Sequence, residues 1–268
     1  MVAEPFERAF AKVNLSLHVT GRRADGYHLL DSLVVFADVA DVVSLGGAVA
    51  LTASGPFAGG LSGENLVLKA AELMGFAGPL ALEKNLPVAA GLGGGSADAS
   101  ATLRLLARVL GRPLPDGLHL GADVPVCVKS VPQRMSGIGE VLSTIEMPEF
   151  WLVLVNPGVE VKTARIFGTL KARDNPAMSP LVWDGFEGFV GFLRRQRNDL
   201  QETAIEIAPE IGDVLAVLAR QNGCALARMS GSGATCFGVF ARQTDAEAAA
   251  VSISASQPGW WVKAASRV

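Results

Sequence analysis

The sequence predicts an α+β protein, and three patterns support that fold class. From Phe10 to Val19 apolar and polar residues alternate with a period of two, which is typical of a strand with one buried face. Two stretches, 65–74 and 97–110, carry apolar residues at helical spacing instead. From residue 151 onward the predicted order is strand, helix, helix, strand, strand, helix, strand, which favours a mostly antiparallel sheet.

The elements of the first half follow from local patterns. The polar face of the strand at 10–19 carries Lys12, Asn14, Ser16 and His18. Further strands are predicted at 33–36, 41–45 and 80–84, and the glycine-rich stretch 46–63 is predicted to hold an exposed strand and loops. The helix at 97–110 should end at Gly111, because glycine is favoured just past a helix end.

The second half is predicted to form a separate unit. Pro148 is the expected boundary, which divides the chain into domains 1–148 and 149–268. The clearest helix runs over 209–222, with proline in its first turn and Gly223 just past its end. A second helix is predicted at 244–253, and strands are predicted near 151–155, 224–229, 234–240 and 260–264.

Composition excludes several classes of protein. Half of the 268 residues are hydrophobic, 18% are charged and the net charge is −3, which is typical of a globular protein without a basic tract, so nucleic acid is not an expected partner. No apolar run reaches the roughly 18–20 residues of a membrane span. The segment 1–8 lacks the basic start and apolar core of a signal peptide. The three scattered cysteines are predicted to be free thiols, so we expect a cytoplasmic protein.

The run Gly91-Leu92-Gly93-Gly94-Gly95-Ser96 lies between a predicted strand and a predicted helix. Backbone N–H groups at a helix N-terminus bind anions, and glycines let the backbone approach a phosphate closely. A flexible turn without a ligand is the alternative. The run lacks the last glycine of a Rossmann fingerprint, the lysine of a Walker loop and the companion segments of a protein kinase.

Six segments in order along the whole chain closely resemble motifs of the GHMP kinases (galactokinase, homoserine kinase, mevalonate kinase and relatives). They are 11–15, 24–28, 87–97, 120–125, 137–140 and 229–237. The resemblance implies a two-domain GHMP kinase fold, with a ribosomal protein S5 domain 2-like N-terminal domain, a ferredoxin-like α+β C-terminal domain and the site between them. It also implies phosphate transfer from ATP to a small molecule. Asp25-Gly26-Tyr27-His28 is similar to the branch whose acceptor is a cytidylyl methylerythritol, whereas a homoserine or mevalonate type of kinase is the alternative.

The resemblance implies a catalytic pair. Asp123 is the expected general base, and Lys12 is expected to keep it ionised and to contact the acceptor hydroxyl. The local sequence alone favours a turn or helix-capping role for Asp123, and Lys12 could equally lie on a solvated strand face.

Further binding residues are implied in the same way. The expected ATP contacts are Pro87, Val88, Ala89, Ala90, Gly91, Leu92, Gly93, Gly94, Gly95, Ser96, Ala97, Asn65, Lys84, Gly231, Ser232 and Gly233. The expected acceptor contacts are Asn14, Tyr27 and His28, with an aromatic against the cytosine from among Phe186, Phe189 and Phe192. For Tyr27 and His28 the alternative is a hairpin flank, and for the glycines at 231–233 it is a tight turn. Mg²⁺ is expected with ATP, although no metal ligand is evident beyond Ser96, and the chain is expected to be a monomer or weak homodimer.

Overall fold

A computed structural model describes residues 5–61 and 64–268. Residues 1–4 of the expected non-signal N-terminus and residues 62–63 of the glycine-rich stretch lie outside the described part. Within the described residues, no helix is both long enough and apolar enough to cross a membrane.

A long hairpin forms the centre of the first sheet. Its strands are β1 (Phe6–Arg22) and β2 (His28–Leu45), which pair antiparallel along nearly their whole length. The other edge of β2 pairs with β4 (Leu80–Glu83) at one end and with β5 (Gln133–Gly137) at the other. The outer strands are β3 (Leu51–Ser54), parallel to β4, and β6 (Val141–Thr144), antiparallel to β5.

The hairpin differs from its prediction in two ways. The stretch predicted as strands 33–36 and 41–45 is one continuous strand, because β1 pairs with it on both sides of a bulge at residues 38–39. The strand at 10–19 is not half-buried, since its polar residues Lys12, Asn14, Ser16 and His18 are buried too. The period-two pattern therefore separates two covered faces, one apolar and one polar, rather than a buried face and a solvated one.

Three helices accompany this sheet: α1 (Leu66–Leu73), α2 (Gly94–Leu110) and α3 (Val124–Lys129). Asn65 caps α1, because its side chain accepts a hydrogen bond from the N–H of Val67 at 2.8 Å. The prediction that α2 begins at residue 97 was three residues late, since Gly94 and Gly95 form its first turn. Gly111 ends the helix in the left-handed conformation, as predicted.

The second sheet is antiparallel throughout, as the sequence predicted, with strand order β10-β7-β9-β8. Its strands are β7 (Trp151–Asn156), β8 (Cys224–Met229), β9 (Cys236–Phe240) and β10 (Trp261–Ser266). Between β7 and β8 lie four helices rather than the two predicted: α4 (Thr163–Thr169), α5 (Gly185–Arg194), α6 (Gln201–Ile207) and α7 (Glu210–Ala219). The last helix, α8 (Gln243–Ser256), packs beside β10.

The two sheets share one apolar core. It joins residues of β1 and β2 to residues of β7, β9 and α5, and it also takes in Leu86, Ala90 and Leu92 from the segment that leads to α2. The first sheet ends at Thr144 and the second begins at Trp151, so the division at 148 falls between them. Because this cluster joins the two sheets, two independently folding domains stay a prediction.

Candidate active site

A cavity of about 1000 Å³ lies between the two halves of the molecule. Both halves line it, and most of its wall comes from the segments singled out in the sequence. The predicted residues on the wall are Lys12, Asn14, Tyr27, His28, Ala89, Ala90, Gly91, Gly93, Gly94, Gly95, Ser96, Asp123, Gly231 and Ser232. The predicted ATP contacts Asn65, Lys84, Pro87, Val88, Leu92, Ala97 and Gly233 are not part of this lining.

The glycine run forms the N-terminus of α2 on the cavity wall. The first intrahelical bond runs from the N–H of Ala97 to the carbonyl of Gly93 at 2.8 Å. The N–H groups of Gly94, Gly95 and Ser96 therefore precede the helical ladder and have no intrahelical acceptor. No side chain caps this end, and the first turn holds no acidic residue. The positive end of the helix dipole is therefore not neutralised by the helix's own side chains and can attract an anion in the cavity.

Hydrogen bonds hold this loop to both halves of the chain. The N–H of Lys12 donates to the carbonyl of Leu92 at 2.9 Å, and the N–H of Thr235 donates to the carbonyl of Ala90 at 3.1 Å. The hydroxyl of Ser230 donates to the carbonyl of Gly91 at 2.9 Å. Gly91 has a φ of +73°, and a Cβ there would overlap the carbonyl oxygen of Ser230. Glycine at 91 is therefore required for the loop to contact the 229–237 segment.

Lys12 and Asp123 meet on the cavity wall, although 110 positions separate them along the chain. The Nζ of Lys12 lies 2.9 Å from Oδ2 of Asp123, and the exposed fraction is 5% for the lysine side chain and 40% for the aspartate. Asp123 lies just before α3, but its carboxylate caps no N–H of that helix. A ligand that enters the cavity can therefore reach the carboxylate, and the ammonium of Lys12 lies beside it on the same wall.

Asn14 offers a second polar group beside this pair. Its backbone N–H donates to the hydroxyl of Ser230 at 3.1 Å, and its Nδ2 donates to the hydroxyl of Ser32 at 2.7 Å. Its Oδ1 is buried without a partner among the described residues. Because a buried carbonyl oxygen normally accepts a hydrogen bond, this atom is a candidate contact for a hydroxyl of the acceptor.

The far end of the cavity is aromatic. Tyr27 lies there with 57% of its surface exposed. The ring of His28 stacks on Phe167, with ring centroids 4.7 Å apart and an angle of 24° between their planes. Burial is the main cause that lowers the pKa of His28, and Arg22 and Arg173 lower it further, so the ring is neutral near pH 7.

Phe167 is an aromatic residue of the cavity wall that sequence reasoning missed. The sequence shows only an aromatic residue a few positions after Asn156-Pro157-Gly158. That local pattern does not indicate which other residues Phe167 contacts. The three aromatics proposed instead line no part of the cavity. Phe189 and Phe192 are buried in the shared core and Phe186 packs against it, because the apolar stripe of α5 faces that core.

Lys84 lies behind the loop rather than on the cavity wall. Its ammonium forms ion pairs with Asp41 and, at 2.8 Å, with Asp98, and all three side chains are at most 4% exposed. Burial opposes the charge of Lys84, but the two carboxylates outweigh it and raise the pKa of the ammonium. An approach of that ammonium to adenine would break both ion pairs. The expected ATP contacts of Lys84 and Asn65 stay predictions without support from this geometry.

The donors on the wall suit a magnesium ion bound mainly through phosphates. Across residues 5–61 and 64–268 there is no group of three His, Cys, Asp or Glu side chains that could hold a metal. Magnesium commonly keeps several waters and takes one or two protein oxygens besides those of the substrate phosphates. Ser96 at the helix N-terminus and Asp123 are oxygen donors of that kind.

Comparison with known proteins gives one family for the whole chain. The model of the GHMP kinase N-terminal domain matches residues 65–141, and the model of the GHMP kinase C-terminal region matches residues 190–258. The 4-diphosphocytidyl-2-C-methyl-D-erythritol kinase of Cereibacter sphaeroides (strain ATCC 17029 / ATH 2.4.9) is 54% identical over 279 residues, with 100% of each chain covered. The protein of the same name from Paracoccus denitrificans (strain Pd 1222) is 53% identical, with 96% of this chain and 95% of that protein covered.

A solved structure is similar over the same extent. The crystal structure of a 4-(cytidine 5′-diphospho)-2C-methyl-D-erythritol kinase matches with a TM-score of 0.79 and 30% identity, and the match covers 97% of this chain and 99% of that chain. Both family models match in the expected order, and relatives more than half identical extend over the full length. The chain therefore belongs to the GHMP kinase family.

Proposed function

We propose that this chain transfers the γ-phosphate of ATP to the 2-hydroxyl of 4-diphosphocytidyl-2-C-methyl-D-erythritol, giving the 2-phosphate and ADP in the non-mevalonate isoprenoid pathway. The observation that carries the proposal is the meeting of three features in one cavity. These are an anion-binding helix N-terminus, a lysine–aspartate pair and an aromatic end. Relatives of that name at 53–54% identity support the choice of acceptor.

The chemistry assigned to the pair is a proton transfer coupled to phosphoryl transfer. Asp123 accepts the proton of the 2-hydroxyl as that oxygen bonds to the γ-phosphorus. The bond from phosphorus to the bridging oxygen breaks, and ADP leaves with that electron pair. Lys12 orients the carboxylate and steadies negative charge on the attacking oxygen. Such a base contributes roughly 10²–10⁴-fold to the rate.

We assign the phosphates of ATP to the loop at the N-terminus of α2. The N–H groups of Gly94, Gly95 and Ser96 point along the helix axis into the cavity, and Gly231 and Ser232 form the facing wall. The Oγ of Thr163 lies 2.8 Å from that of Ser232, which fixes the facing wall to α4. Mg²⁺, when bound with ATP, neutralises charge on the phosphates, and Ser96 is its proposed protein ligand.

We assign the cytosine to the aromatic end. Tyr27 and Phe167 offer ring faces, and the neutral ring of His28 offers Nε2, which is buried without a partner among the described residues. A nucleobase stacks on such rings and hydrogen-bonds to such a nitrogen. Asn14 then lies beside Asp123 at the other end, where its free Oδ1 can accept a hydrogen bond from the methylerythritol.

ADP release with a panel of acceptors tests the assignment. The expected signal appears with the cytidylyl methylerythritol and not with homoserine or mevalonate. Release with one of those two alone would make the chain another GHMP small-molecule kinase. No release with any acceptor, together with ATP binding, would favour a non-catalytic nucleotide-binding protein. A cytoplasmic location and a monomer or weak homodimer accompany the proposal, and gel filtration tests the latter.

A further inference from the structure

Two arginines at the aromatic end have no role in the assignment above. Arg22 is the last residue of β1, and its Nε donates to the carbonyl of Gly26 at 3.2 Å. Arg173 follows α4, and its Nη2 donates to the carbonyl of Gly168 at 3.1 Å. Both line the cavity. Each guanidinium is thus held beside an aromatic of the site, because Gly26 precedes Tyr27 and Gly168 follows Phe167.

Neither guanidinium is neutralised by the protein. In the part of the chain that the structure describes, Arg22 and Arg173 form no ion pair with a carboxylate. By contrast, the neighbouring Arg23 pairs with Asp25 at 2.7 Å. Asp25 is the acidic residue at this end of the cavity wall, and its carboxylate is already paired with Arg23 rather than with Arg22 or Arg173. The lowered pKa of His28 is consistent with the positive potential of the two arginines, although burial contributes more.

Donors also remain on both guanidiniums. Arg173 uses its Nε and Nη2 on the carbonyls of Leu170 and Gly168, which leaves Nη1 without a partner among the described residues. Arg22 donates only through Nε, to the carbonyl of Gly26, so both of its Nη groups have no partner among the described residues. Arginine forks of this kind match phosphate oxygens in charge and in geometry.

We propose that Arg22 and Arg173 form a second anion subsite, separate from the glycine loop, that holds the diphosphate of the acceptor. The inference rests on the proposed function, in which the acceptor carries a diphosphate between its cytidine and its methylerythritol. With the cytosine on the rings, the diphosphate begins one ribose away, within reach of side chains anchored beside those rings. The subsite therefore selects a cytidine that bears a diphosphate over cytidine itself.

Calorimetric titration with CDP and with cytidine, in the absence of divalent cations, tests this subsite. Wild type is expected to bind CDP more tightly than cytidine. Arg22→Gln and Arg173→Gln should each weaken CDP binding by about 10-fold and leave cytidine nearly unchanged, since each removes charge-assisted hydrogen bonds to phosphate at a partly exposed site. Arg220→Gln is the matched control, because Arg220 is exposed and does not line the cavity.

The outcomes separate the subsite from the function. Equal losses for CDP and cytidine, or unchanged CDP binding in both variants, would overturn the subsite while leaving turnover of the cytidylyl acceptor in place. A raised KM for ATP with an unchanged KM for the acceptor would overturn it too, because the arginines would then serve the other substrate. Wild type without CDP binding and without turnover would overturn the proposed function itself. Recovery of CDP affinity in Arg22→Lys would support a charge contact.

Discussion

Two lysine–carboxylate clusters flank the glycine loop, and they differ in their access to the cavity. In one, Lys12 pairs with Asp123, whose side chain is 40% exposed. In the other, Lys84 pairs with Asp41 and Asp98, and all three side chains are sealed from solvent. The same types of charge thus form an open pair on the cavity wall and a closed triad behind it.

Both lysines touch the loop itself. A Cβ on Gly93 would lie 2.9 Å from the Cε of Lys12, and one on Gly94 would lie 3.1 Å from the Nζ of Lys84. Neighbouring glycines therefore leave room for the two lysines. The open pair can exchange a proton with a ligand, whereas the closed triad can only hold the loop and the start of α2 in place. Solvent access, rather than residue type, decides which cluster is suited to catalysis.

Loss of the base in the open pair should give the largest effect. Asp123→Asn keeps the size of the side chain but cannot take up the proton, so kcat should fall by at least about 10²-fold while ATP binding stays nearly intact. Steady-state kinetics and nucleotide titration check this result. Asp116→Asn is the control, because Asp116 is exposed and its Oδ1 accepts a hydrogen bond from the N–H of Leu118. The amide oxygen of asparagine can accept the same bond. Near-normal turnover of Asp123→Asn would remove that residue from the mechanism.

Loss of the cation in the closed triad should act on stability instead. Lys84→Met leaves Asp41 and Asp98 buried without their counter-charge, and breaking a buried ion pair in this way costs about 3–5 kcal/mol. Denaturant unfolding measures the loss. Lys69→Met serves as the control, since Lys69 pairs with Glu64 on the surface, where an ion pair contributes little. A variant with the stability of the wild type and a selective loss of adenine nucleotide affinity would instead place Lys84 in the ATP site.

The smallest effect concerns pH and the closed triad. Burial, more than the neighbouring Asp41, raises the pKa of Asp98 to about 7 even though Lys84 opposes the rise. The folded protein therefore holds a proton that the unfolded chain has released, so this group lowers stability as pH rises from about 4 to about 7. Asp98→Asn has no carboxyl proton to lose at this position. The stability of the variant minus that of wild type should therefore increase from pH 5 to pH 8. Thermal unfolding at both values checks this result, and parallel pH curves for the two proteins would contradict it.

Much of the open site was predictable because its residues lie in contiguous motifs. The strand at 10–19, the glycine run at 91–96 and the aspartate before Val124-Pro125 each have a local pattern, and their order along the chain matches one family. The antiparallel second sheet followed from element order in the same way. The start of α2 was missed by three residues, because glycine has a low helix propensity and only the contacts of the loop hold Gly94 and Gly95 in a helical turn.

By itself, then, the sequence determined the family, and it predicted the phosphate loop and the pairing of Lys12 with Asp123. The tertiary structure alone decided that Lys84 is sealed behind the loop, that Phe167 stacks on His28 and that Arg22 and Arg173 share one end of the cavity. These partners are far apart along the chain, as Lys84 is from Asp41, and local propensity carries no information about such pairs. Their roles depend on burial and charge neighbours, which exist only once the two sheets have packed together.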